Sequence, residues 1–387
     1  MSLTRYFVFF AVVTGIAGLI HTYLWWRIVH APAWPAPWQR VGAWAFIVLA
    51  ASVPMSFVAS RLLPKPIGLP FIWIGYVWMG LMFLLLVLTL LGEPVRIVDA
   101  VLSWVAPNIM SAERRQFLLR AVAGVTTVGA GGLAAFGVYS AIGKTRVHRV
   151  PVQVLRAPAA LRGLKVAQIT DIHIGPTLGR DFLEGIVERV NSVEPDVIAI
   201  TGDLVDGSVA ELGHAVRALE GLRAKQGVYF VTGNHEYYSG ADEWIRFLGT
   251  LGVRVLRNER IALEHGGEGF DLVGIDDWSS RGFGGDHGAN LPKALAGRDA
   301  ARPSILLAHQ PKAFPEAASL GIDLQISGHT HGGQIKPFNL LTKLDTPYVR
   351  GLYREGQSQI YVSPGTGYWG PPMRVGVPPE VTLLEFG

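Results

Sequence analysis

Ser327-Gly328-His329-Thr330-His331-Gly332-Gly333-Gln334 decides how this chain is read. Two imidazoles, two residues apart among three glycines, follow the apolar run 324–326, so a short strand delivers them from its carboxyl end. Working back through the chain, the same arrangement recurs. The run 305–308 leads into His309, 228–231 into Gly233-Asn234-His235-Glu236, 197–200 into Gly202-Asp203, and 165–169 into Asp171-Ile172-His173. Between them, 181–193, 210–222 and 241–251 carry helical patterns, which makes an α/β arrangement. Ligands gather beyond the carboxyl ends of strands in such sheets, so residues spread over 160 positions are expected to converge on one pocket.

Imidazole, carboxylate and amide oxygens suit catalytic divalent Mn, Fe or Zn ions. The absence of cysteine removes thiolate ligands, thiolate nucleophiles and disulfides. Residues two apart, as in Asp171/His173 and His329/His331, point the same way on extended backbone, so each pair is expected to address a single site. A carboxylate such as Asp203 can bridge two cations ~3.5–4 Å apart. Glycines 202, 233, 328, 332 and 333 let the chain turn sharply beside these groups. Glu236, Asp206 and the pair Asp276/Asp277 are expected to support the ligands or sit in solvated turns.

These five motifs resemble the calcineurin-like metallophosphoesterase superfamily, whose pattern is Asp-x-His, Gly-Asp, Gly-Asn-His, His, then Gly-His-x-His. The resemblance covers roughly residues 160–387. It implies a pair of packed β-sheets flanked by helices, a four-layer αββα sandwich, with further strands at 270–275, 359–362 and 381–386. It also implies two divalent metal ions: Asp171, His173, Asp203 and His331 would hold one, and Asp203, Asn234, His309 and His329 the second. His235 would be the catalytic histidine that protonates the leaving group or stabilises phosphoryl charge. The implied reaction is in-line attack on phosphorus by water that the metals activate. The wording of 327–334 resembles the bacterial membrane-associated branch, which includes phosphodiesterases and enzymes similar to UDP-2,3-diacylglucosamine pyrophosphatases. A lipid-linked phosphate is the substrate class this suggests.

The first part of the chain is of another kind. Half of all residues are hydrophobic, and the first 150 carry 12 Lys/Arg against 3 Asp/Glu, leaving 22 against 27 for the rest. The basic residues border apolar stretches and form no stripe on the soluble part, which argues against nucleic acid as a partner. Residues 6–26, 41–60, 67–92 and 121–143 lack Lys, Arg, Asp and Glu and reach the ~20 residues needed to cross hydrocarbon, so four spanning helices are expected. The domain reading is a transmembrane region over 1–145, a linker over 146–160 and a catalytic domain over 161–387. Residues 95–105 carry the pattern of an interfacial or connecting helix. His21 lies inside the first span and is read as structural, and the Gly/Ala-rich fourth span is read as a packing surface.

Four spans put both ends of the membrane region on one side, and the arginines at 27, 40, 96, 114, 115 and 120 on the other. By the positive-inside rule this suggests a multi-pass protein of the bacterial inner membrane with an extracytoplasmic catalytic domain. Arg114-Arg115-Gln116-Phe117-Leu118 also resembles a twin-arginine export signal, displaced from the usual N-terminal position. Residues 338–344 and 368–372 are candidates for an acyl groove or an interface contact, with core packing or a rigid loop the plainer explanation. A catalytically silent membrane receptor or scaffold is the alternative of a different class, and the complete ligand set argues against it. Oligomeric state is left open.

Overall fold

The computed structural model describes residues 3–105, 111–154 and 161–387, with backbone alone at 3–10, 13 and 61. The chain divides into two compact units, Met1–Tyr139 with Gly370–Met373, and Ser140–Trp369 with Arg374–Gly387.

Helices α1 (Leu3–Trp25), α2 (Ala36–Leu62), α3 (Lys65–Leu91), α4 (Glu93–Val105) and α5 (Ala112–Ile142) build the first unit. They occupy all four stretches expected to span. Among the described residues three helices are long and apolar enough to cross a membrane, Ala36–Ser60, Lys65–Val105 and Ala112–Ile142. The expected first span falls on α1, part of which lies outside the described side chains. Large apolar side chains such as Trp44, Val48, Val125 and Val128 face outward, whereas Arg96, Asp99, Ser56 and Thr89 are buried. Inside, the Glu93 carboxylate accepts from Tyr23 Oη at 2.6 Å, Arg27 at 2.6 Å and Arg96 at 2.7 Å, and Arg115 pairs with Asp99 at 2.9 Å. This apolar-outside, polar-inside distribution suits a hydrocarbon surrounding.

His21 has both ring nitrogens engaged, Nε2 with Trp78 Nε1 at 3.0 Å and Nδ1 with the Ala17 carbonyl at 2.7 Å, which is a structural role. In the fourth span Ala130 and Ala134 are buried and a Cβ on Gly129 would lie 3.5 Å from Leu88 Cδ1, so part of it packs within the chain. A Cβ on Gly124, Gly131 or Gly132 would meet nothing within 4 Å, while one on Gly75 of α3 would come within 2.6 Å of the Ser52 carbonyl on α2.

The second unit contains strands β1 (Arg146–Val152), β2 (Lys165–Ile169), β3 (Val197–Ile200), β4 (Val228–Phe230), β5 (Val253–Val255), β6 (Glu259–His265), β7 (Glu268–Gly274), β8 (Ser304–Leu307), β9 (Leu324–Ser327), β10 (Gly351–Glu355), β11 (Ser358–Val362) and β12 (Glu380–Phe386). Its helices are α6 (Arg180–Asn191), α7 (Val209–Val216), α8 (Asn234–Ser239), α9 (Ala241–Thr250), α10 (Leu291–Ala294), α11 (Phe314–Ser319) and α12 (Asn339–Asp345). Two six-stranded sheets result, ordered β1-β12-β2-β3-β4-β5 and β10-β11-β9-β8-β7-β6.

Strand alternation sorts the apolar residues into layers. Val166, Val197, Ala199 and Leu384 of one sheet meet Leu272, Ile305, Leu307 and Ile326 of the other in one buried cluster. Their neighbours Ala167, Ile169, Ile198 and Ile200 turn to the opposite face and pack on Leu183, Leu212 and Trp244 from α6, α7 and α9. Beyond the second sheet, Val273 and Leu306 pack on Leu291, Ala294 and Ala317. Burial on both faces is why these strands read as continuous apolar runs. The architecture is the four-layer αββα sandwich.

Residues 146–152 correct the expected linker over 146–160. They form β1, paired in parallel with β12, and Val150 and Val152 enter the buried cluster between the sheets. The strand reads as linker because its other positions, among them Arg146, His148, Arg149 and Pro151, are polar or Pro and its partner lies more than 200 residues away. Residues 155–160 lie outside the described residues.

Candidate metal centre

Each expected ligand follows the carboxyl end of a strand. Asp171 and His173 follow β2, Asp203 follows β3, Asn234 and His235 follow β4 and open α8, His309 follows β8, and His329 and His331 follow β9. The turns are sharper than extended backbone. Asp171 (φ 52°), His173 (54°), Asp203 (51°), His329 (71°) and His331 (50°) all take left-handed conformations, which non-glycine residues hold only when the surroundings enforce them. This changes one expectation. Asp171 and His173 do share a cluster, but His329 and His331 part company, although all four residues are left-handed.

Among the described residues three groups form, the ligand atoms within each lying within 4.8 Å of one another: Asp171, His173 and His331; His173, Asp203 and His235; and Asp203, His309 and His329. The Asp203 carboxylate is at the middle, with Oδ2 3.1 Å from His309 Nε2 and 3.8 Å from His173 Nε2. Two imidazole pairs are in unusual contact. His173 Nε2 and His331 Nε2 are 3.2 Å apart, and so are His329 Nδ1 and His309 Nε2.

The rings are aimed from behind. His309 Nδ1–H donates to the Thr201 carbonyl at 2.8 Å, and His173 Nδ1–H donates to Asp206 Oδ1 at 3.1 Å, which leaves both Nε2 lone pairs directed into the centre. Asn234 Oδ1 is buried with no hydrogen-bond partner. A buried amide oxygen without a donor is costly, and a cation beside it removes that cost. Converging lone pairs, an orphaned oxygen and no thiolate therefore fit divalent ions with oxygen and nitrogen ligands.

Supporting groups complete the centre. Glu236 is fully buried and accepts from the backbone N–H groups of Asp203 (3.0 Å), Leu204 (2.8 Å) and Gly233 (2.7 Å), tying the two ligand loops together. Burial and the Asp203 charge push its carboxyl up to about 7. Asp206 also accepts from His235 Nδ1 at 2.6 Å. Burial pushes Asp206 up, but His173 and His235 outweigh it and hold the carboxyl well below its ordinary range. For His235, burial favours the neutral ring, yet the Asp206 bond and the Asp203 charge raise it to about 9. Asp276 is engaged with Arg257, and Asp277 accepts from Gln310 Nε2 at 3.0 Å; both are buried.

Sequence reading missed Arg374. Its guanidinium is wholly buried and donates to the carbonyls of Gly367 (3.0 Å), Pro364 (2.6 Å) and His331 (3.1 Å). Gly367 N–H in turn donates to the Asp171 carbonyl at 3.0 Å, so one arginine braces the loops carrying Asp171 and His331. The available signal was a lone charge in the otherwise uncharged stretch 368–377. Tyr238 and Trp369 also stand edge-on to His235, with ring centroids at 5.4 and 5.5 Å.

A two-sheet sandwich that gathers aspartates, histidines and an asparagine at its strand ends defines a metal-dependent phosphoesterase type of centre. The family model for calcineurin-like phosphoesterase matches residues 164–333. An uncharacterized metallophosphoesterase of Helicobacter pylori strain J99 is 41% identical over 252 residues, covering 65% of this chain and 66% of that protein. A transmembrane protein with metallophosphoesterase domain from Bos taurus is 43% identical over 272 residues, covering 67% of this chain and 60% of that protein. An uncharacterized metallophosphoesterase of Aquifex aeolicus is 32% identical over 244 residues, covering 62% of this chain and 91% of that protein. The chain belongs to the calcineurin-like metallophosphoesterase family. It spans less than two thirds of the length of the Helicobacter and Bos relatives.

Proposed function

We propose that this chain is a membrane-anchored hydrolase of a phosphodiester, phosphomonoester or pyrophosphate bond, working with two divalent cations. In this reading Asp171, His173, Asp203 and His331 hold one ion, and Asp203, Asn234, His309 and His329 hold the other. The observation that carries it is the Asp203 carboxylate, shared by two groups of ligand atoms, together with a buried Asn234 amide oxygen that has no donor. When bound, the ions supply charge neutralisation for phosphoryl oxygens and lower the pKa of water.

The chain's own residues supply the rest. His235 presents Nε2 4.0 Å from Asp203 Oδ2 while Nδ1–H is anchored on Asp206, so its second proton is available to a leaving oxygen. Asp206 and Glu236 fix the rings and loops, and Arg374 holds the Asp171 and His331 loops together. The substrate we infer is lipid-linked, supported by the apolar helices that accompany the domain, since anchoring concentrates an amphiphile near the site. The arginine distribution supports an inner-membrane, multi-pass placement with the domain extracytoplasmic.

Hydrolysis of bis-p-nitrophenyl phosphate and of a UDP-linked diacyl sugar by the full-length protein, with Mn²⁺ and with chelator, tests this reading. Manganese-dependent turnover is expected; none of either substrate with metal bound would overturn it. His235→Ala is expected to keep metal and lose ~10²-fold or more in turnover, whereas Asp203→Asn is expected to lose metal.

A further inference from the structure

The sandwich unit exposes an unusual run of apolar side chains beside its metal centre. Leu340 (59% exposed), Leu341 (55%) and Leu344 (84%) stand in five consecutive residues, and no residue of α12 is buried. Positions 341 and 344 are three apart and 340 and 344 four apart, so the three occupy one side of the helix. Core packing does not account for them. Tyr368, by contrast, is buried, and the core-packing explanation holds there.

This short helix has little stability of its own. It is held against the ligand-bearing turn His331–Gly333, where a Cβ on Gly333 would come within 2.5 Å of Asn339 Cα. Lys336 and Lys343 are exposed on the same segment. Water-facing leucines at such exposure are unfavourable, so a cover is expected. At 55–84% exposure the leucines project into their surroundings, which suits a flat apolar surface better than a single acyl chain. Lysines flanking an apolar helix face complement anionic headgroups. The same chain also carries helices long and apolar enough to cross a bilayer.

We propose that the Leu340/Leu341/Leu344 face of α12 docks into the headgroup–acyl boundary of an anionic lipid bilayer. It thereby brings the turn that carries His331 up to lipid-borne phosphate. This rests on the membrane-anchored reading above.

The chain has no cysteine, so one introduced thiol is a unique label site. Leu344→Cys and, as a control on another exposed leucine, Leu320→Cys would carry a bimane fluorophore in full-length protein reconstituted into phosphatidylglycerol/phosphatidylcholine nanodiscs. Turnover of bis-p-nitrophenyl phosphate would confirm an intact fold in both. The expected result is quenching by brominated lipid several-fold stronger at 344 than at 320, with iodide quenching correspondingly weaker. Equal aqueous quenching at both positions overturns the proposal while leaving anchoring intact. A label at 344 shielded from both quenchers places a protein partner there and also overturns it. Failure of the chain to enter discs overturns the membrane-anchored reading, and the docking face falls with it.

Discussion

Adding one methyl group at Gly233 isolates what close approach does for the centre. Gly233 has φ −101° and ψ −179°, a backbone any residue adopts, so Gly233→Ala brings no conformational strain. Its Cβ would overlap Asp203 Oδ1 and come within 2.5 Å of Asp203 N and 2.9 Å of Asp203 Cγ, against an ordinary contact of 3.4–4 Å. Asp203 cannot swing aside freely, because Oδ1 accepts from His235 N–H at 2.9 Å and its own N–H donates to Glu236 at 3.0 Å. A shift of roughly 1 Å in the central carboxylate follows, and misplacement of that size costs ~10²-fold, about 2.7 kcal/mol in the barrier. The assay is Mn²⁺-dependent release of p-nitrophenol by full-length protein, with bound metal counted by mass spectrometry. Gly179→Ala is the control, since nothing lies within 4 Å of its Cβ and its φ of −120° is ordinary. Turnover and metal content in Gly233→Ala equal to those of the control would refute the reasoning.

Asp206→Asn is expected to move the alkaline limb of the turnover profile to lower pH. His235 is raised to about 9 in part by Asp206, and its acid form is lost as pH rises through that value, so weakening the partner lowers the pH of the loss. Bound cations lower both proteins alike, so the difference between profiles is the measurement, and an unchanged limb counts against proton donation by His235. Arg374→Ala strands three carbonyls at about 1–3 kcal/mol each before water enters. It should lower the melting temperature and metal occupancy together, with Arg374→Lys recovering part of both; thermal melts and metal analysis check this, and an unchanged melt would remove the bracing role.

The sequence by itself determined the strand-end motifs, their order and the apolar helices, because these are local properties. Asp203, His309 and His329 each sit one to three residues past an apolar run, and that placement survives in the structure. Tertiary structure decided which of them meet. His331 lies beside Asp171 across 160 residues, while His329, two positions earlier, is delivered to Asp203, and a separation of that kind leaves no periodic trace. The single Asp206 oxygen serving both His173 and His235, and the wholly buried Arg374, are equally nonlocal, since burial and shared partners are properties of packing. The β1 strand is invisible until β12 supplies its hydrogen bonds. The apolar residues of 338–344 were legible as apolar, but only the packed fold decided that they face outward, because the sandwich core was already filled by its own strands.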